Sequence, residues 1–245
     1  MKTFTKTLVA GALMSALPMA QAEGPHTFSA NVAVTTNYVF RGISQTSEDP
    51  ALQGGFDYAH ESGLYAGFWA SSIEFNAGTS NTASVEMDFY GGYGGDIGDT
   101  GISYDFGGLY YLYPDQNEDV GADYNYFEFY LNLGYAFNDM VSTGLSYAYS
   151  PDFFGEDGTG NYIAGNVDVS LPQGFGLSVL VGHQDVEGDK LTGPNGFDYS
   201  HWQVGVSKEI GNFGFDLTYY DAFDKNDCGG SICDSMLVFT VSSSW

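Results

Sequence analysis

Apolar and polar residues alternate one by one in segment after segment of this chain, and no segment is apolar for long enough to cross a bilayer as a helix. A period of two sends successive side chains to opposite faces of a strand. Spanning a bilayer as a helix would need roughly 18 consecutive apolar residues, and nothing beyond the first two dozen positions approaches that. The alternation begins with Phe28, Ala30, Val32, Val34, Tyr38 and Phe40 on one parity, against Ser29, Asn31, Thr35 and Asn37 on the other. Leu52, Phe56 and Tyr58 then oppose Gln53 and Asp57; Tyr65, Trp69, Ile73 and Phe75 oppose Ala66, Ser72 and Glu74. The pattern continues to Leu237, Phe239, Val241 and Trp245, which oppose Thr240, Ser242 and Ser244. Twelve strands result. No helical period interrupts them.

The connections add separate information, because short and long ones take turns. The short ones fall around 61–63, 96–101, 137–139, 172–174 and 209–212; the longer ones near 42–51, 76–84, 114–123, 151–160, 184–199 and 222–235. Short turns on one side and long loops on the other are the asymmetry of an outer-membrane barrel, with the turns periplasmic and the loops extracellular. The expected fold is therefore all-β, a transmembrane antiparallel up-and-down barrel with both chain ends in the periplasm. Aromatic residues gather near strand ends on the apolar parity. Tyr38, Phe40, Phe75, Tyr149, Trp202 and Tyr219 fall toward the long loops; Tyr65, Tyr93, Tyr135, Phe213 and Trp245 fall toward the short turns. Two such rings read as the girdles at the lipid–water boundaries. The closing strand ends on Trp245, the form of a signal offered to the barrel-assembly machinery.

Residues 1–22 carry Lys2 and Lys6, a short apolar run from Leu8 to Leu17, and Ala20-Gln21-Ala22. They read as a secretory signal peptide, leaving 23–245 as one barrel domain in the outer membrane of a Gram-negative cell. Without Lys2 and Lys6, four basic residues face 31 acidic ones, a net charge of −27. Nucleic acid is excluded as a partner, since phosphate binding depends on Lys and Arg. An aromatic content of 17% excludes a disordered acidic chain. Cys228 and Cys233, five positions apart in an exported chain, read as a disulfide in the last extracellular loop. A metal site there would need further ligands, and only acids lie close by.

With the apolar parity facing lipid, the other parity lines the lumen. It supplies Asp57, Glu74, Glu86, Asp88, Asp105, Glu128, Asp168 and Asp216, narrowed by Tyr90, Tyr126 and Tyr130. Such a lining favours cations. Arg41 stands where the first strand meets the first long loop. Two readings stay open for it: a guanidinium that forks onto lumen carboxylates and pins the loop inward, or a solvated rim arginine. The long loops hold further acids, among them Asp115, Glu118, Asp119, Asp152, Glu156, Asp157, Asp185, Glu187 and Asp189. These are either dispersed solvating charges or clusters for divalent cations, though no EF-hand spacing occurs.

Enzyme chemistry finds little footing. Some twelve-stranded outer-membrane barrels are phospholipases using Ser and His, and His183 has the lipid-facing parity such a site needs. No serine of matching parity and height, and no orienting Asn, is evident beside it. His60 and His201 read as polar residues at strand ends. Gly91-Gly-Tyr-Gly-Gly95 lies in a strand and is followed by no Lys-Ser/Thr, so it is not a phosphate loop. No cofactor is expected.

Residues 38–45, Tyr-Val-Phe-Arg-Gly-Ile-Ser-Gln, precede Pro50-Ala-Leu-Gln-Gly-Gly-Phe-Asp-Tyr58. With His60-Glu-Ser-Gly63, Leu64-Tyr-Ala-Gly67 and Trp69-Ala-Ser-Ser72, this stretch resembles the TorF family, also catalogued as Gcw_chp, a group of proteobacterial proteins assigned as porins. The resemblance implies an outer-membrane, porin-like protein and carries over no substrate and no catalytic residue. The expected function is a passive channel for ions or small solutes that prefers cations. The alternative is a structural or adhesive barrel with a plugged lumen; a lipid-modifying enzyme stands third.

Overall fold

A computed structural model describes residues 24–77, 80–117, 122–223, 228 and 230–245. The leader at 1–22, together with Glu118 and Asp119, lies outside the described residues. Fourteen strands follow one another: β1 (His26–Thr35), β2 (Val39–Phe40), β3 (Ile43–Ser44), β4 (Ala51–His60), β5 (Leu64–Ala77), β6 (Ser80–Asp96) and β7 (Ile102–Leu112), then β8 (Tyr126–Ala136), β9 (Val141–Ser150), β10 (Gly160–Leu171), β11 (Phe175–Val186), β12 (Phe197–Ile210), β13 (Phe213–Ala222) and β14 (Met236–Ser244). Twelve of them form one closed antiparallel barrel, each pairing with its sequence neighbour, while β2 and β3 form a separate two-stranded hairpin. An even count lets the first and last strands meet antiparallel. β14 closes on β1 with Val34 opposite Val241 and Thr35 opposite Thr240. Closure removes the open edges that lipid cannot hydrate.

The outer surface is apolar where the alternation requires it. Phe28, Val34, Leu52, Phe56, Phe129, Leu133 and Phe213 are all exposed large hydrophobics. A continuous coat of this kind is stable only against acyl chains, since soluble monomers keep apolar patches small. Glu86, Asp88, Asp105 and Glu128, on the opposite parity, are all shielded inside. Tight turns close one end. At Gly63 the backbone takes φ +100°, and an added Cβ would lie 2.3 Å from the Gly94 carbonyl oxygen, so glycine is required there.

Three expectations need correction. The first strand stops at Thr35 rather than running to Phe40, so Tyr38 and Phe40 belong to an inward loop and not to a girdle. The loop expected at 76–84 is mostly strand, because β5 continues to Ala77 and β6 starts at Ser80. The third concerns the phase of β5, which is opposite to the one expected. Trp69, Ser71 and Ile73 are buried inside the barrel, Phe75 packs on the same interior cluster, and the Tyr65 hydroxyl reaches Asp105 across the lumen at 2.5 Å. Phe68 instead faces out and packs on Phe89. Glu74, between two inward residues, therefore stands outside the lumen, half-buried, accepting from Asn76 Nδ2 at 2.9 Å. Both parities of β5 are apolar, so the single acid Glu74 does not mark its lumen face. The interior here is aromatic because the inward loop covers it.

Candidate functional site: the lumen and its inward hairpin

The segment between β1 and β4 turns back into the barrel. Asn37 anchors its base: its side-chain oxygen accepts from Ser44 Oγ at 2.7 Å and Thr46 Oγ1 at 3.0 Å, and its Nδ2 donates to Met236 Sδ at 3.0 Å. β2 and β3 then pair through Val39–Ser44 and Phe40–Ile43, leaving Arg41 and Gly42 as a two-residue tip. Both tip residues have positive φ, +49° and +82°, the conformation of a type I′ turn. Arginine is an unusual choice at such a position, where a side chain is strained and persists only if its surroundings hold it. Glycine at the second place is required twice over. A Cβ on Gly42 would come within 2.7 Å of His201 Cβ.

What holds Arg41 is the opposite wall. Nη1 and Nη2 donate to the two oxygens of Glu128 at 2.9 and 2.7 Å, and Nη1 also donates to Gln184 Oε1 at 2.8 Å. The planar group lies 4.6 Å from the centre of the Phe40 ring and 4.2 Å from that of Tyr162. Tyr199 donates to the Arg41 carbonyl at 3.0 Å, and Tyr111 donates to Glu128 at 3.0 Å. Arg41 is 9% exposed and Glu128 is 2% exposed. Of the two readings left open by the sequence, the inward fork is the one adopted.

Two further acids share this upper half of the lumen. Glu86 accepts from Tyr38 at 2.7 Å and from Tyr113 at 2.9 Å. Asp88 is 1% exposed, and its Oδ1 has no hydrogen-bond partner among the described residues. Around them Tyr38, Trp69, Tyr111, Tyr113, Tyr126 and Phe153 form one buried cluster, with Tyr111 and Tyr126 stacked at 4.2 Å. Glu86, Asp88 and Glu128 were expected on a water-filled wall. They point inward, but hairpin and aromatics seal them from water. The disulfide supports the same hairpin: Cys228 and Cys233 are bonded, buried, and packed with Tyr199, Ala222 and, on the hairpin, Ile43.

The half nearer the short turns is different. Asp57, Asp168 and Asp216 are half-exposed and point into the barrel, each held by a neighbour. Tyr90 donates to Asp57, Asn166 to Asp168 at 2.5 Å, and Thr218 to Asp216 at 2.6 Å. Asp105 is covered by Tyr65, which also bonds Tyr130, and accepts from Asn132 at 3.0 Å. Among the described residues no basic side chain faces these acids: Lys190 pairs with Glu156 in the outer loops at 2.7 Å, and Lys208 sits over the Phe175 ring at a turn.

Sequence reasoning missed several members of the site. His201, taken as a strand-end residue, is buried and bonded to Tyr162 at 3.1 Å; Gln184 was not singled out at all. Ser200 was missed too. It stands directly opposite His183, Nδ1 to Oγ 2.9 Å, the matched serine that the sequence had not revealed. Among the described residues no acid or amide is hydrogen-bonded to the other nitrogen of that ring, so the pair lacks the third group of a triad. The loop acids act mainly as backbone acceptors. Asp115 binds the amides of Ser84 and Val85, and Asp157 those of Asp189, Leu191 and Thr192. Burial raises the Asp157 carboxyl, but these amide donors outweigh it and hold the group below the usual carboxylate range. Among the described residues no group of three His, Cys, Asp or Glu is placed to hold a metal ion.

Solved structures share the architecture at low identity. The KdgM porin, determined in complex with disordered oligogalacturonate, is 10% identical over 89% of this chain and 98% of its own, with a TM-score of 0.56. A COG4313 outer membrane channel from Pseudomonas putida F1 is 11% identical over 92% and 96%, with a TM-score of 0.52. These likenesses show the fold. No curated protein matches the chain. The family described as "Bacterial protein of unknown function (Gcw_chp)" matches residues 19–245, and the chain belongs to that family.

Proposed function

We propose that this Gcw_chp protein is an outer-membrane channel for small cationic solutes, constricted by its β2–β3 hairpin. The observation that supports this reading most is the asymmetric charge of the lumen. Asp57, Asp168 and Asp216 reach water inside the barrel, and the one arginine that points inward is already neutralised by Glu128. A lumen of one sign between low-dielectric walls concentrates counter-ions. Twelve strands enclose less space than the wide channels of 16–18-stranded porins, which favours small solutes. The oligogalacturonate named with the KdgM porin is a polyanion, and this acidic lumen would repel it.

Planar-bilayer recording in a salt gradient tests the proposal, using the wild type and a variant in which residues 37–46 are replaced by a short glycine turn. The wild type should pass small currents and the variant larger ones, both with a reversal potential favouring cations by about fivefold or more. High salt should weaken that preference by screening. Anion preference in both proteins, or silence in both after verified insertion, would sink the reading.

A further inference from the structure

The surroundings of the Arg41 guanidinium are those of a bound ligand. A carboxylate meets it edge-on with two parallel hydrogen bonds, a side-chain amide oxygen takes a third, and aromatic rings cover it. Only Phe40 among these partners belongs to the hairpin. Glu128, Gln184 and Tyr162 are on β8, β11 and β10, so most of the cage belongs to the barrel wall and does not depend on the hairpin. Asp88 on β6, in the same upper half of the lumen, is almost fully buried, and its Oδ1 has no partner among the described residues.

We propose that this cage is a binding site for small guanidinium-bearing solutes, and that Arg41 is its tethered occupant at rest. The inference rests on the channel reading and names the solute class that the channel would take. The geometry selects for the group. A fork of two acceptors matches the planar guanidinium, whereas an ammonium is a point charge that cannot use both. Aromatic faces suit an organic cation and offer a divalent metal no ligand atom. The tether is also strained, because Arg41 holds φ +49° at the hairpin tip. A tethered group competes at an effective concentration in the millimolar range, so a free solute must be present at millimolar levels to displace it.

The full mature chain and its Arg41→Ala variant are compared by calorimetry in detergent, with methylguanidinium as the probe and ammonium as the control. Methylguanidinium should bind Arg41→Ala at least about tenfold more tightly than the wild type, in which Arg41 competes for the cage. Ammonium should bind neither, and adding Glu128→Gln should abolish the binding. Should Arg41→Ala fail to fold, Arg41→Met removes the cation while keeping a long side chain against the rings and is expected to behave alike. Equal affinity in wild type and variant, or equal heats from methylguanidinium and ammonium, would overturn the inference. Bilayer currents recorded on the same proteins separate the two ideas. Selective binding without current upholds the site and defeats the channel, whereas current without selective binding does the reverse.

Discussion

The two halves of the lumen contain the same kind of residue in opposite conditions. Near the short turns Asp57, Asp168 and Asp216 are half-exposed and held by one hydroxyl or amide each, with Asp105 alone among the acids there covered, by Tyr65. Near the long loops Glu86, Asp88 and Glu128 are sealed beneath a hairpin and a layer of tyrosines. A half-buried carboxylate with a hydrogen-bond partner costs less than a sealed one, so the lower acids bear less on stability than the upper ones. A buried carboxylate must be bonded or paired. The upper acids therefore hold structure together, and Glu128 most of all, because it fixes the hairpin inside the barrel.

Breaking the fork should have the largest effect. Glu128→Ala leaves the Arg41 charge buried without its carboxylate, a loss of about 3–5 kcal/mol for a buried pair. The barrel has many other contacts, so the expected outcome is release of the hairpin with strands intact. Proteolysis within residues 36–50 should become rapid while the barrel's circular-dichroism signal is unchanged. A hairpin that stays protected would show that the aromatic layer alone secures it.

Neutralising the lower half should separate charge from stability. Asp57→Asn, Asp168→Asn and Asp216→Asn together keep an acceptor for each neighbour and remove three charges. The reversal potential should move toward zero, and stability should change by no more than about 1 kcal/mol per site, the net worth of one hydrogen bond. The same neutralisation applied to Glu86, Asp88 and Glu128 would not be silent, because those groups are shielded from water. If instead the lower triple unfolds and the upper one does not, the distinction between the halves is wrong.

The smallest expected effect lies at the disulfide. Cys228→Ser with Cys233→Ser removes a bridge that packs against Tyr199 and, on the hairpin, Ile43, and that takes no part in the Arg41–Glu128 fork. Bilayer recordings should show a modest increase in open-channel current or its fluctuation, with the melting temperature of the barrel nearly unchanged. An effect as large as that of Glu128→Ala would move the main support of the hairpin from the fork to the last loop.

By itself the sequence determined the barrel. A period of two with apolar parity facing out has one stable arrangement in lipid, since every backbone group must pair and no edge can remain. Strand number, the antiparallel closure of β1 on β14 and the inward set Asp57, Glu86, Asp88, Asp105, Glu128, Asp168 and Asp216 all follow from that local pattern. The pair Cys228 and Cys233 was legible for a similar reason, being close in the chain. Tertiary structure alone decided what fills the lumen. Arg41 could be read as rim or pin, because its partners Glu128 and Gln184 lie 87 and 143 positions away. His201 and Ser200 were invisible in their roles for the same reason. Even β5, with apolar residues on both parities, could not show which face it buries until the hairpin was in place above it. Alternation records which side of a wall a residue occupies; only packing across the barrel records what it meets there.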